Sequence, residues 1–485
     1  MKSGATHVPC PLRTAAIAAP GAPAFVGARG ALTYGELDRR VAVAAEEIGE
    51  LDLGDGARVA LYLPKDEAYF VLLLALIRAR CVACPLSTRL PPRGAAPLVQ
   101  KISCRALISS DEELLEAADA GIKRLSPQRL LADEPAARDH PGGASEPLRI
   151  ALDLPSTIVF TSGSAGPPKG ALHTFGNHYY SALGSNTNIA LAPGDRWLHS
   201  LPLYHVGGLS ILFRCLLAGA TVALPEPGAS LGEAIADAGA THVSLVSTQL
   251  LRLLREEDLE RRDPKAILLG GGPTPDPLLE EATARGLPIH TSYGLTEMAS
   301  QVTATPPGAS REELRTSGRL LPHREISISE DGEILVRGET LFTGYVEGRA
   351  LDRPQDAEGW FHTGDLGALD AEGYLRVWGR KDNLFVSGGE NIQPEEIEEA
   401  LCRLEGVDEA VVVPVPDAEF GNRPVAFVRT DSGEPGDLAG ALEPILPRFK
   451  IPVSFHEWPE GGGGMKVNRR FLRERALRSD RGGRN

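Results

Sequence analysis

Thr161-Ser162-Gly163-Ser164-Ala165-Gly166-Pro167-Pro168-Lys169-Gly170 is the stretch on which the reading of this chain turns. It follows the β-branched run Thr157–Phe160, so a short strand delivers the chain into a loop of small residues. Glycines let backbone N–H groups approach phosphate oxygens closely, and the hydroxyls add donors of their own. It is not a Walker A loop, because Pro168 precedes Lys169 and Gly170 follows it. Alone, such a run would also suit a solvated Ser/Gly linker.

Upstream, the pattern alternates between helix and strand. Thr33 with Glu36 three residues on is a capping box, predicting a helix to about Ile48. Arg58–Leu63 reads as a strand, Glu67–Ala79 as a helix and Val82–Leu86 as a buried strand, an order that favours parallel pairing. Downstream, Trp197–Leu201, Thr221–Leu224, His242–Val246 and Ala266–Leu269 are further short apolar strands, and Leu250–Glu257 reads as a helix. From about Gly332 the texture becomes β-rich, with Glu333–Arg337 and Tyr374–Val377 as alternating strands. Near Asp382 a separate unit begins. It contains a helix over Glu395–Leu404, strands Ala410–Val415 and Pro424–Arg429, and a helix over Leu438–Leu446. The fold expected is α/β: a large N-terminal domain of α/β layers with a β-rich lobe over 1–381, and a small mobile α+β C-terminal domain over 382–485.

Length and composition bound the function. At 485 residues the chain exceeds the roughly 250–300 at which one core stops growing. Gly 53 and Pro 38 make about a fifth of it, below the level that signals disorder. The net charge of −15 argues against broad binding to nucleic acid or anionic membrane, so an anionic ligand must be held by local devices. Lysine occurs only nine times, which gives each lysine inside a motif weight. Six cysteines make no disulfide framework, and Cys81 with Cys84 reads as a core pair rather than as zinc or redox chemistry. No secretory leader and no membrane-spanning run is evident, so a cytoplasmic protein is expected; a homo-oligomer is open.

Four more clusters carry chemistry. In Thr291-Ser292-Tyr293-Gly294-Leu295-Thr296-Glu297 a ring can stack a base while the carboxylate holds Mg²⁺. In Phe361-His362-Thr363-Gly364-Asp365 the aspartate can accept from two ribose hydroxyls, although Thr-Gly-Asp is also a common turn. Gly379-Arg380-Lys381-Asp382 runs on to Gly388-Gly389-Glu390-Asn391, and Gly461–Gly464 tethers Met465 and Lys466.

The order and spacing of these segments, from about Thr33 to Arg473, resemble the adenylate-forming superfamily of acyl- and aryl-CoA synthetases, luciferases and peptide-synthetase adenylation domains. The resemblance implies ATP, Mg²⁺ and coenzyme A as partners and an AMP-forming acid–CoA ligase as the activity. It implies that Thr161, Ser162, Gly163, Ser164, Gly166 and Lys169 grip the β- and γ-phosphates. Gly270, Gly271, Gly272 and Tyr293 would floor the adenine and acyl sites. Thr296 and Glu297 match the α-phosphate and Mg²⁺ positions, Asp365 and Arg380 the ribose contacts, and Asp382 the hinge. Lys466 matches the lysine that bridges carboxylate and α-phosphate, and Gly388, Gly389 and Glu390 the CoA side. Two departures stand out: Ala165 where threonine is usual, and Glu460 where a basic or hydroxyl residue is common.

Within the superfamily, Thr174–Ala182, Leu201–Ser210 and Tyr293–Gln301 resemble the ligases that activate o-succinylbenzoate for menaquinone synthesis. An aromatic diacid needs a cation for the carboxylate that is not activated. Arg214 is the candidate, since a guanidinium suits a carboxylate, although with 41 arginines a structural role is the competing expectation. His205 is expected between the acid and CoA sites, and Gly294 along the acid. The alternatives are another aryl- or fatty-acyl-CoA ligase, or an inactive nucleotide-binding homologue.

Overall fold

A computed structural model describes residues 6–27, 30–118, 121–131, 147–161, 168–256, 264–417, 419–430, 437–459 and 468–482. Two large sheets organise the first part. One has eight strands in the order Ala350–Asp352, Gly344–Glu347, Lys169–Thr174, Pro155–Thr161, Val82–Pro85, Arg58–Tyr62, Ala106–Ser109, Lys123–Leu125. Its last five strands are parallel; Lys169–Thr174 and the hairpin beyond it run antiparallel. The other has nine strands, with Arg196–Leu198, Thr221–Ala223, His242–Leu245, Ala266–Leu269 and Ile289–Leu295 mutually parallel at its centre.

Alternation decides which face each side chain joins. Val59 and Leu61 enter a core shared by both sheets, while Ala60 and Tyr62 enter the core on the opposite face. Both faces are buried, which is why these strands read as apolar runs. The space between the sheets is filled by helices Tyr34–Glu50, Glu67–Arg78 and Val206–Ala218, whose Leu37, Phe70 and Phe213 are buried there. Thr33 caps the first of them through the expected reciprocal bonds with Glu36. Cys81 and Cys84 are buried free thiols in these cores.

The β-rich lobe begins earlier than the sequence texture indicates. It is a four-stranded antiparallel sheet of Glu325–Ile328, Glu333–Arg337, Phe361–Leu369 and Leu375–Arg380. The segment holding Thr363-Gly364-Asp365 lies within a strand rather than in a turn. Gly364 takes φ +71°, and a register shift follows between Leu366 and Gly367, so the strand is bulged where Asp365 must face inward.

The last part has its own core around helix Pro394–Cys402 and the long hairpin Val407–Asp417/Gly421–Thr430. A final helix, Arg469–Gly482, sets Leu472 and Ala476 against the other face of that hairpin. Ion pairs among the described residues that join this unit to the first include Arg255 to Asp408 at 2.8 Å and Arg403 to Asp276 at 3.3 Å. Among the described residues, no helix is long and apolar enough to cross a membrane.

Candidate active site

Chain segments leaving the carboxyl ends of the neighbouring parallel strands Ala266–Leu269 and Ile289–Leu295 come together, the place where open α/β sheets bind ligands. Gly270, Gly271 and Gly272 leave Ala266–Leu269, and the Ser292 hydroxyl bonds back to the Leu269 carbonyl at 2.7 Å. The neighbouring strand Ile289–Leu295 supplies Tyr293 and Gly294. A Cβ at Gly294 would lie 2.3 Å from the Ser300 carbonyl oxygen, so no larger residue fits this close pairing.

Tyr293, Asp365 and Arg380 come together. The Tyr293 hydroxyl donates to Asp365 Oδ2 at 2.6 Å, and the Arg380 guanidinium donates to Asp365 Oδ1 at 3.0 Å. The pairing of Asp365 opposite Arg380 in adjacent strands fixes the second contact. Burial, then Asp365, pushes the Tyr293 phenol well above its ordinary pKa. Burial pulls Arg380 down, but Asp365, Asp382 and Tyr293 together leave the guanidinium raised. Arg380 also lies 3.6 Å from Asp382, which sits in the exposed 3₁₀ turn Lys381–Asn383.

Thr296 and Glu297 open a short 3₁₀ turn directly after Tyr293-Gly294-Leu295. His173, buried and held neutral by desolvation at a pKa of about 4, bonds the Thr296 carbonyl at 2.7 Å. Glu297 accepts from the Tyr345 hydroxyl at 2.5 Å. Lys169 stands at the start of the strand after the serine-rich loop, its ammonium 4.9 Å from the centre of the Tyr345 ring. Thr161 ends the strand before that loop. Ser162, Gly163, Ser164, Ala165 and Gly166 lie outside the described residues, as do Glu460 and Lys466. Three residues beyond Lys466 in sequence, Arg469 is tied to Glu395 at 3.2 Å and to Glu398 at 2.8 Å.

His205 is the N-cap residue of helix Val206–Ala218, with its ring 4.7 Å from that of Tyr204. Two turns on, Arg214 is only 1% exposed. Its guanidinium donates to Gln301 Oε1 at 2.7 Å and to the Ser300 hydroxyl at 3.3 Å, and lies 5.1 Å from the Trp197 ring. Among the described residues no carboxylate pairs with it, and its Nε has no partner. Burial lowers its pKa to about 10, so it remains a cation at neutral pH. Gly388, Gly389 and Glu390 form the exposed tip of the hairpin Phe385–Ser387/Glu390–Ile392, in the C-terminal unit and apart from these contacts.

Sequence reading missed Tyr345, His173 and Gln301. Gln301 ends the stretch Tyr293–Gln301, whereas His173 falls just outside Thr174–Ala182, one residue before it. Tyr345 carries no local signal, because its hairpin reaches the site by pairing with a strand far earlier in the chain, Ala171 lying opposite Tyr345 at a separation of 174 positions.

Glu297 offers one carboxylate beside Tyr345 and Lys169. Among the described residues no group of three or more His, Cys, Asp or Glu side chains could hold a metal. That donor set suits Mg²⁺, which keeps waters and takes one or two carboxylates plus substrate phosphates.

Comparison with known proteins agrees with this fold. The family model for AMP-binding enzymes matches residues 12–346, and that for the AMP-binding enzyme C-terminal domain matches 396–460. The 2-succinylbenzoate–CoA ligase of Bacillus velezensis is 35% identical over 442 residues, covering 88% of this chain and 89% of that protein. The o-succinylbenzoate CoA synthetase of Bacillus subtilis, solved with the acyl-adenylate intermediate OSB-AMP, superposes with a TM-score of 0.85 at 31% identity, over 96% of this chain and 98% of that one. Its complex with ATP and magnesium ion gives a TM-score of 0.84 at 31% identity, over 96% of this chain and all of that one. The chain belongs to the AMP-binding enzyme family.

Proposed function

We propose that this chain is an AMP-forming ligase that joins o-succinylbenzoate to CoA, the thioester step of menaquinone synthesis, and that it works in the cytoplasm. The observation that carries the substrate assignment is Arg214. A buried cation without a counter-charge costs several kcal/mol unless something pairs with it. Among the described residues its guanidinium has as partners a neutral amide, a hydroxyl and an aromatic ring. A fold that keeps such a group is organised for an incoming anion, and the second carboxylate of an aromatic diacid is that anion.

Two half-reactions follow. In the first, one carboxylate of the diacid attacks the α-phosphorus of ATP and the P–O bond to diphosphate breaks, giving the acyl-adenylate. Two anions must meet, so neutralisation comes before geometry. Lys169 and the loop after Thr161 act at the β- and γ-phosphates, and Lys466 acts between the carboxylate and the α-phosphate. Asp365 orients the ribose, with Arg380 and Tyr293 orienting Asp365. Glu297 is the residue that would hold Mg²⁺, which supplies charge neutralisation across the phosphates. In the second, the CoA thiol attacks the acyl carbonyl and the bond to AMP breaks. Lys466 is not needed there, and rotation of 382–485 about Asp382 withdraws it and brings Gly388, Gly389 and Glu390 towards His205.

The test is AMP release with CoA and a panel of acids. o-Succinylbenzoate is expected to exceed benzoate and octanoate by orders of magnitude. Equal turnover of either monoacid would contradict the assignment.

A further inference from the structure

We propose that Tyr345 is the positioning residue for the Glu297 carboxylate, holding it in the orientation that receives the divalent cation. The inference rests on the reading of Glu297 as the cation-binding carboxylate.

The geometry grips Glu297 at both ends from one short stretch of chain. The Tyr345 hydroxyl donates to Glu297 Oε1 at 2.5 Å, and the Phe342 N–H donates to the Glu297 carbonyl at 2.8 Å. That stretch is itself anchored: the Thr343 N–H donates to the Leu172 carbonyl at 2.8 Å, and Tyr345 faces Ala171 in the antiparallel pair. The ring has little freedom. Phe342 meets it edge-on at 4.8 Å between centroids, and the Lys169 ammonium lies 4.9 Å from its centre.

The choice of a phenol matters. A glutamate side chain loses substantial rotamer freedom when ordered, so an unheld carboxylate would have to be ordered by the cation itself. An arginine or lysine would hold it more strongly but would cancel the charge the cation needs. A neutral O–H fixes one oxygen without cancelling the charge, and among the described residues Oε2 has no partner. Among the described residues no cation pairs with Glu297, and the nearby Lys169 is engaged by the ring instead. Tyr345 thereby orients the carboxylate and keeps a competing ammonium on its own ring.

Tyr345→Phe separates these roles, since it keeps the ring against Phe342 and Lys169 and removes only the hydroxyl. The measurements are ATP affinity by calorimetry with and without Mg²⁺, the Mg²⁺ concentration that half-saturates diphosphate release, thioester formation from pre-made acyl-adenylate without Mg²⁺, and the thermal midpoint. Loss of a hydrogen bond to a charged group predicts roughly a tenfold rise in the half-saturating Mg²⁺. The Mg²⁺-induced gain in ATP affinity should shrink to match. Affinity without Mg²⁺, thioester formation and the midpoint should stay at wild-type values. Wild-type Mg²⁺ dependence in this variant, with Glu297→Gln having lost it, would overturn the role of Tyr345 alone. Wild-type Mg²⁺ dependence in Glu297→Gln would overturn the reading of Glu297, and the inference with it. In the double variant no loss beyond Glu297→Gln is expected; an additional loss would show Tyr345 acting elsewhere and overturn the proposal.

Discussion

Replacing Arg214 with methionine sets function against stability. In the folded chain the guanidinium makes one good hydrogen bond to Gln301, a longer one to Ser300 and a cation–π contact with Trp197. These contribute about 1.5–3 kcal/mol for the charge-assisted bond and about 1–2 kcal/mol for the ring. Against them stands the cost of burying a charge with no carboxylate beside it, several kcal/mol on its own. Methionine fills most of the volume and Gln301 Oε1 keeps its bond from Ser185. The unfolding free energy of Arg214→Met should therefore lie within about 1 kcal/mol of wild type. Binding of the diacid should suffer, because a carboxylate loses a charge-assisted partner worth about 3 kcal/mol, equivalent to roughly 150-fold in kcat/KM. The assay is AMP release with o-succinylbenzoate and with benzoate, alongside the KM for ATP and urea unfolding. A selective loss for the diacid with stability intact is expected. An equal loss for both acids, or destabilisation beyond 3 kcal/mol, would make Arg214 a structural arginine and refute the argument.

Two further outcomes follow from charges elsewhere. Arg403→Glu faces Asp276 across the two units with repulsion; exposed pairs are worth about 0.2–1 kcal/mol, so the ratio of the two half-reaction rates should shift by up to roughly fivefold. Adding Asp276→Arg should restore the ratio, and failure to do so would exclude this pair from setting the domain posture. His199 is buried, and desolvation, then Lys65, lowers its pKa to about 3. The unfolded chain therefore binds the extra proton below about pH 6.5, and stability is lost as pH falls from there towards 3. His199→Leu should flatten the loss between pH 6.5 and 5 by roughly 2 kcal/mol in denaturant titrations; an unchanged slope would contradict the burial argument.

What the sequence discloses depends on whether the signal is local. The capping box at Thr33 and the apolar runs of the parallel strands need only near neighbours, and they lie within a few residues of their expected places. The helix expected at Leu250–Glu257 instead spans Ser247–Leu254, because Gln249 reaches back to the Val246 N–H and starts it earlier. The final helix escapes notice because its buried face is little more than Leu472 and Ala476, one turn apart among arginines. The site divides in the same way. Tyr293 and Glu297 share one stretch, whereas Tyr345 and the strand around Asp365 are set by pairing between distant segments. Gly364 reads as a turn residue because its left-handed conformation is used here for a bulge.

The account stands on an acyl-adenylate that forms before CoA takes part. Mixing enzyme, ATP, Mg²⁺ and o-succinylbenzoate without CoA should release one equivalent of diphosphate per active site, with AMP appearing only when CoA is added. No diphosphate burst, or ADP in place of AMP, would contradict it.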